Sequence, residues 1–303
     1  MQLKLYKTLW GHNGDIDSAI EECIDAGFDG IEGPTPVDDD QRRDLRRRIH
    51  GAGLEYIAEI CTAGSYVPDR NATVDDHLDS LRGSLIHAAE CLPRFATVIA
   101  GCDAWSVDES ADFFGRAQEI ADSLGIIASF ETHRGRSMFN PWTTRDILRK
   151  LDPRNVRSTI NLTCDFSHWC VVCERLIDTE LDIVEMCAER AMHIHARVGY
   201  DQGPQVPDPS ASEYLYAVEA HERWWKLIWE SRLRRGEAVV TMTPEFGPDG
   251  YLHHMPHTLT PVADLWTVNR WMGERLRSTF AEWIGEDAPA TKTSDLRRAA
   301  TPV

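Results

Sequence analysis

Short apolar runs alternate with amphipathic stretches of helical period along most of the chain. Runs with the strand pattern lie near residues 3–10, 28–32, 54–62, 95–102, 126–132, 157–165, 192–198 and 238–246. Helical patterns follow them, near 15–26, 38–52, 73–92, 108–124, 143–151, 178–190, 211–233 and 260–284. This regular alternation predicts a (β/α)8 TIM barrel, in which the chemistry lies at the carboxyl ends of the strands.

The length and composition of the chain fit a single TIM barrel. The chain has 303 residues, of which 42% are hydrophobic, so it can bury a large core as one domain. We expect a catalytic domain over residues 1–284 and a flexible tail at 285–303, where large apolar residues are scarce. The sequence has neither a long apolar run nor the pattern of a signal peptide, which predicts a cytoplasmic protein.

The charge balance limits the classes of partner. Asp and Glu number 49 against 32 Lys and Arg, which gives a formal net charge of −17 at pH 7. A surface this negative repels phosphate backbones and anionic lipids. We therefore expect a small-molecule substrate, and neither a nucleic acid nor a membrane as a partner.

Four polar residues lie near the ends of four successive predicted strands: Glu131, Asp165, His195 and Glu245. Oxygen and imidazole ligands of this kind suit one divalent ion with open positions for a substrate. Mn²⁺ is our first choice, with Mg²⁺, Co²⁺ or Zn²⁺ as alternatives. A single inward His or Asp in a barrel is often a hydrogen-bonded core residue, but four at matching depth indicate a site.

Strand periodicity supports this placement. Residues two apart in a strand point to the same side, so His193, His195 and Arg197 share one face. The same argument puts Thr243 and Glu245 on one face of the last strand. In each set, the last residue is expected nearest the mouth of the barrel.

Five motifs occur in one order along the chain: GFDGIEGP at 27–34, FETHRGR at 130–136, Asp165-Phe-Ser-His168, HIHARVG at 193–199 and PEFGPDGY at 244–251. Together they resemble the xylose isomerase-like TIM-barrel superfamily, the sugar phosphate isomerase/epimerase group, over about residues 3–283. The resemblance implies that Glu131, Asp165, His195 and Glu245 hold the metal. It also implies that His168 and Arg197 contact the substrate. One position departs from the family pattern, because Val198 stands where an acid is common.

The chemistry implied is proton transfer next to a carbonyl group. A divalent ion can polarise the carbonyl of a hydroxy-ketone and stabilise an enediolate. Glu131 and Glu245 are the candidate base and acid of an isomerase or epimerase acting on a small sugar or related compound.

Further candidate substrate contacts lie in or beside the predicted mouth loops: His133, Arg134, Glu32, Trp10 and Trp142. Aromatic side chains there suit the C–H faces of a sugar. The alternative for Glu32 is a salt bridge at the rim, and for the two Trp residues it is simple packing.

Other functions remain open on the same residues. A lyase, either like inosose dehydratase or a decarboxylase of a keto-sugar acid, would use the same intermediate. A metal-dependent endonuclease needs further His and Glu ligands and a basic groove, which the net charge argues against. A non-catalytic sugar-binding barrel would not need the complete set of four ligands.

The last two helical patterns are rich in tryptophan: Trp224, Trp225, Trp229, Trp266, Trp271 and Trp283. A homodimer would cover such side chains if they formed an apolar patch, because aromatic residues are enriched at interfaces. The alternative is that they pack inward against the barrel.

Overall fold

The computed structural model describes residues 1–152, 160–248 and 250–285. In these ranges eight parallel strands form a closed barrel in chain order, and the first strand pairs with the last. The strands are β1 (Gln2–Thr8), β2 (Gly30–Pro34), β3 (Glu55–Cys61), β4 (Ala96–Ile99), β5 (Ala128–Glu131), β6 (Asn161–Cys164), β7 (Ala191–His195) and β8 (Val239–Thr243). The predicted (β/α)8 barrel is confirmed.

The helices cover the barrel from outside. They are α1 (Ile16–Asp25), α2 (Asp39–Gly51), α3 (Val74–Glu90), α4 (Val107–Leu124), α5 (Pro141–Leu151), α6 (Ser167–Cys173), α7 (Leu181–Ala188), α8 (Leu215–Arg234) and α9 (Leu265–Gly285). Local chemistry sets many of their starts. Asp15 accepts a hydrogen bond from the Ser18 amide at the start of α1, and Ser106 and Glu109 form a reciprocal capping box at α4.

Several element boundaries differ from the sequence prediction. The short helix α6 was missed, because seven residues are too few to show a helical period. The last helix begins at Leu265 rather than near 260, where Asp264 caps it by accepting from the Thr267 amide at 2.8 Å. Residues 157–159 of the sixth predicted strand lie outside the described residues, as does the predicted tail from 286 onward.

The inside of the barrel changes from apolar to polar along its axis. Tyr6, Ile57 and Phe95 form a small buried cluster in the interior. Polar side chains also lie inside, and they bond to each other: Thr163 Oγ1 donates to Ser129 Oγ at 2.8 Å. Parallel strands bring their carboxyl ends to one face, so the polar residues that end them meet at the same mouth.

The tryptophan residues of α8 belong to the core. Trp224, Trp225 and Trp229 are fully buried, and Trp283 of α9 is 5% exposed. Trp266 and Trp271 are partly buried against the same core. Of the two alternatives, the structure therefore shows inward packing for these residues, and the homodimer itself stays an untested prediction. None of the described helices combines the length and apolar character that a bilayer crossing requires.

Candidate metal and substrate site

Four side chains converge at the carboxyl-terminal mouth of the barrel. Glu131 ends β5 and His195 ends β7, while Asp165 directly follows β6 and Glu245 lies two residues beyond β8. One ligand atom from each lies within 4.8 Å of the others, and all four residues are buried. The structure thus brings together the four residues that the sequence predicts as metal ligands.

Several polar atoms of this cluster lack hydrogen bonds. Glu131 Oε2, Glu245 Oε2 and His195 Nδ1 are buried without a hydrogen-bond partner. His195 Nδ1 lies 2.8 Å from Glu245 Oε2 and 3.4 Å from Glu131 Oε1. Buried polar atoms are rarely left unpaired, so lone pairs gathered in one place fit a cation better than they fit each other.

Local chain geometry positions Asp165 and its neighbours. Asp165 Oδ1 accepts from the Ser167 amide at 2.9 Å, which turns the chain from β6 into α6. This turn places His168 beside the cluster, with its Nε2 3.6 Å from Asp165 Oδ2 and 3.7 Å from Glu131 Oε1.

Glu32 supports His195 from below. Its Oε1 accepts from His195 Nε2 at 3.1 Å, and its Oε2 lies 3.1 Å from His193 Nε2. The Thr243 hydroxyl also donates to Glu32 Oε2. A proton held on Nε2 leaves the lone pair on His195 Nδ1, the nitrogen that faces the other ligands, and metal-binding histidines are usually oriented in this way.

The electrostatics of the cluster favour a cation. Burial opposes a charged imidazole, but Glu245 and Glu32 outweigh it and raise the pKa of His195 well above its ordinary value. Burial raises the pKa of Glu131, and the neighbouring Glu245 adds to this rise. A divalent ion would replace the proton that this raised pKa places on His195 Nδ1 and would relieve the excess of negative charge. The donor set therefore fits such an ion in both chemistry and arrangement.

Arg197 reaches the cluster from just beyond β7. Its Nη2 donates to Asp165 Oδ2 and lies 2.8 Å from His168 Nε2 and 3.5 Å from Glu245 Oε2. Its guanidinium lies 4.7 Å from the centre of the Tyr251 ring. Arg197 therefore links the candidate ligands to the aromatic wall above them.

A second group of potential ligands overlaps the first. Glu131, His133 and His168 also bring ligand atoms within 4.8 Å of one another. Burial lowers the pKa of both histidines well below the ordinary value, so both are neutral. However, Arg197 already directs its positive charge at His168 Nε2, which disfavours a metal ion there.

A cavity of about 220 Å³ opens directly beside the cluster. Of the four converging residues, Glu131 and Glu245 line it, whereas Asp165 and His195 lie behind its wall. The described lining consists of Trp10, Glu59, Cys61, Ser65, Tyr66, Ile99, Glu131, His133, Arg197, Glu245 and Tyr251. Two carboxylates thus face the space that a bound molecule would fill.

Two aromatic rings form one wall of the cavity. Trp10 and Tyr251 contact edge to face, with centroids 4.7 Å apart. The Trp10 ring also presses on Gly247, where an added Cβ would come within 2.1 Å of ring carbons. Position 247 must therefore be glycine for Trp10 to occupy this place.

Some predicted substrate contacts are placed elsewhere. Glu32 lies beneath the cluster with both oxygens engaged, so it is neither a cavity-lining group nor a rim salt bridge. Trp142 is 39% exposed beside Arg175 and is not part of the cavity lining. Arg134 stacks on Tyr251 behind the cavity wall, at 4.8 Å from the ring centre.

His133 and His168 were both predicted as substrate contacts, but of the two only His133 is in the described lining of the cavity. The two rings are 3.9 Å apart, and His133 lines the cavity while His168 lies behind it. Sequence analysis also missed Glu59 and Tyr66 as lining residues. A charged residue inside the predicted strand 54–62 was the available signal for Glu59, whereas Tyr66 lies in a loop whose path depends on tertiary contacts.

Comparison with known proteins gives a family match. The family model of the xylose isomerase-like TIM barrel matches residues 20–204 of the chain. No curated protein matches the sequence.

Solved structures match the fold at low identity. A D-allulose 3-epimerase from Methylomonas sp. in complex with D-allulose has a TM-score of 0.60 and 14% identity, over 92% of this chain and 97% of that one. The IolI protein with a bound zinc atom has a TM-score of 0.58 and 14% identity, over 93% and 98%. The probable 3-DHS dehydratase AsbF from Bacillus anthracis has a TM-score of 0.56 and 13% identity, over 90% and 98%. At these identities the likeness concerns the fold alone.

Proposed function

The chain belongs to the xylose isomerase-like TIM-barrel family, and on that premise we propose that it is a divalent-metal-dependent isomerase or epimerase. Its substrate would be a small sugar or a related hydroxy-carbonyl compound. The observation that supports this most directly is the placement of Glu131 and Glu245, which belong to the converging set and also face the cavity.

Glu131, Asp165, His195 and Glu245 would hold the metal. A bound divalent ion would polarise a substrate carbonyl and stabilise the enediolate that forms when the neighbouring carbon loses its proton. The zinc atom in the structure of IolI supports a divalent ion in a fold of this kind. Mn²⁺ is our proposal for the ion, with Mg²⁺, Co²⁺ or Zn²⁺ as alternatives.

The protein side chains would move the proton. Glu131 would take a proton from the substrate carbon with a carboxylate oxygen, and Glu245 would return one from another side of the cavity. Arg197 would donate a hydrogen bond to a substrate oxygen, and His133, whose Nδ1 donates to the Arg134 carbonyl at 2.6 Å, would accept one from a substrate hydroxyl with Nε2. These contacts would fix the reacting carbon between the two glutamates. Trp10 and Tyr251 would cover the apolar C–H face and exclude water.

Proton exchange in D₂O tests the proposal. The Mn²⁺-loaded protein is incubated with ketoses, inososes and keto-acids, and the products are followed by NMR. We expect deuterium to enter a C–H next to the carbonyl of the true substrate, and Glu131→Gln and Glu245→Gln to abolish this exchange.

The other outcomes are equally informative. Release of water or CO₂ would select the lyase alternative. The fold likeness to a probable dehydratase is one reason to test for it. Absence of exchange and of turnover with all three compound classes would contradict the proposed function.

A further inference from the structure

Glu59 is a third carboxyl group on the cavity wall. It lies on β3, outside the set of candidate ligands, and lines the cavity together with Glu131 and Glu245. Among the described residues it has neither a hydrogen-bond partner nor an ion-pair partner. Glu59 is partly exposed and lines the cavity, so a bound molecule that excludes water from the cavity would have to supply a hydrogen-bond partner for its carboxyl group.

The surroundings of Glu59 are negative. Burial raises the pKa of Glu59 to about 8, and Glu245 and Glu32 contribute to the rise. Arg197 is the sole lysine or arginine in the described cavity lining, and it is already engaged by Asp165. The negative charges of Glu245, Glu32 and Glu131, which add to the effect of burial on Glu59, would also oppose a phosphate or carboxylate on the substrate.

A bound divalent ion would not make the net charge of the site positive. The three carboxylates of the candidate ligand set exceed the charge of such an ion by one, and Arg197 offsets that excess. Glu32 and Glu59 are two further carboxyl groups, and neither has a lysine or arginine partner among the described residues. Arg134 and Arg136 lie behind the cavity wall, and even when both are counted the loaded site with Glu59 ionised has no net positive charge.

We propose that Glu59 binds a hydroxyl group of the substrate and that it makes the cavity select uncharged polyhydroxy compounds over their phosphate esters or acids. This inference rests on the proposed function, since it assigns the substrate class of the same site. A substrate hydroxyl can donate to a carboxylate or accept from a carboxyl group, so it satisfies Glu59 in either form.

Cys61 offers a reporter of the cavity charge that needs no known substrate. It lies two residues after Glu59, lines the same cavity and is a free, partly exposed thiol. Cys173 is another free, partly exposed thiol, but it lies on α6 outside the cavity lining. Neutral, cationic and anionic methanethiosulfonates are reacted with the Mn²⁺-loaded protein, and peptide mass spectrometry measures the labelling rate of each thiol.

The rate ratio of cationic to anionic reagent decides the proposal. We expect this ratio to be about tenfold higher at Cys61 than at Cys173, since one unit charge at close range has an effect of this order. Aromatic walls also attract quaternary ammonium groups, so the change in Glu59→Gln is the deciding comparison. At a pH above 8, where Glu59 is ionised, we expect Glu59→Gln to lower the ratio at Cys61 severalfold, while the surface variant Asp79→Asn leaves it unchanged.

Two outcomes would overturn the proposal: equal ratios at the two thiols, or a ratio insensitive to Glu59→Gln. The substrate screen then compares each compound that is turned over with its phosphate ester. A preference for the neutral parent that shrinks in Glu59→Gln supports the proposal, and faster turnover of the ester contradicts it. Failure of the wild-type protein to bind Mn²⁺ would instead contradict the proposed function. Labelling of the metal-free protein separates this failure from a failure of the Glu59 proposal.

Discussion

Glu32 contacts a proposed metal ligand, His195, without belonging to the proposed ligand set. Its two oxygens serve His195 Nε2 and His193 Nε2, each at 3.1 Å. Glu32→Gln keeps the volume but leaves one acceptor oxygen, so one imidazole loses its partner. We expect Mn²⁺ affinity to fall about tenfold, as is typical when the residue that orients a ligand is changed.

Calorimetric titration with Mn²⁺ measures this effect. Thr97→Val serves as the matched control, because Thr97 is also buried inside the barrel and contacts Thr163 rather than the histidines. Unchanged affinity in Glu32→Gln, or an equal loss in Thr97→Val, would show that Glu32 is only a filling residue of the interior.

Substitutions of Asp165 and His168 test which of the two is a metal ligand and which is a positioning residue. Asp165→Ala removes a proposed ligand and should lower Mn²⁺ affinity by at least about tenfold, since even changes beside a ligand have effects of that size. His168→Ala should retain the ion but lower kcat/KM about 10- to 100-fold, because Arg197 loses its contact with His168 Nε2. Metal content of the two purified variants, measured with their kinetics, checks both statements. If His168→Ala strips the metal, His168 is a ligand and the set must be revised.

The four converging residues could be predicted because each ends an apolar run, and a barrel brings such ends together whatever the details of packing. The roles of Glu32 and Trp142 could not be predicted in the same way. Whether an inward residue reaches the cavity or a neighbouring histidine depends on its depth along the strand, and this is set by the register between strands. For Glu32, the pairing with β3 and the nearby Thr243 place the side chain below the cavity.

At the scale of elements, the loop after β3 is held by one buried cation. Arg136 is fully buried and donates to the backbone carbonyls of Thr62 at 2.7 Å, Gly101 at 3.1 Å, Tyr66 at 3.3 Å and Ser65. Arg136→Met should destabilise the protein by about 2–4 kcal/mol, because several buried carbonyls lose their donor. Since Ser65 and Tyr66 line the cavity, KM should rise more than kcat falls.

Urea unfolding and steady-state kinetics together test this role. The control is Arg70→Met, because Arg70 makes an exposed ion pair with Asp103 at 2.9 Å, and such pairs contribute about 0–1 kcal/mol. An effect of Arg136→Met as small as that of Arg70→Met would mean that the loop holds its shape without the guanidinium.

The order of strands and helices could be predicted because the spacing of apolar residues, which differs between strands and helices, can be read from a single sequence. The short α6 could not, and it carries His168 to its place behind the cavity. At its start, Asp165 accepts a hydrogen bond from the Ser167 amide. The two residues are only two positions apart, so this contact leaves no periodic pattern of apolar residues in the sequence.

At the scale of the whole molecule, the homodimer has lost its first motivation, since Trp224, Trp225 and Trp229 are buried within one chain. It remains an untested prediction. Light scattering over a range of protein concentrations tests it directly, and a mass near twice 34.3 kDa would support the dimer. A constant mass of one chain at every concentration would contradict it.

The net charge leads to a prediction about salt. Added salt weakens exposed ion pairs such as Arg43 with Asp40 and Arg116 with Asp75, but each contributes only about 0–1 kcal/mol. It also screens the mutual repulsion of a chain with net charge −17, since the Debye length falls from about 10 Å at 0.1 M salt to about 3 Å at 1 M. We expect the second effect to prevail, so Tm at pH 7.5 and constant Mn²⁺ should rise by a few degrees between low and high NaCl. The same titration near pH 5.1, close to the isoelectric point, is the control and should show a smaller rise. A Tm that falls with NaCl at pH 7.5 would mean that the surface ion pairs outweigh the repulsion.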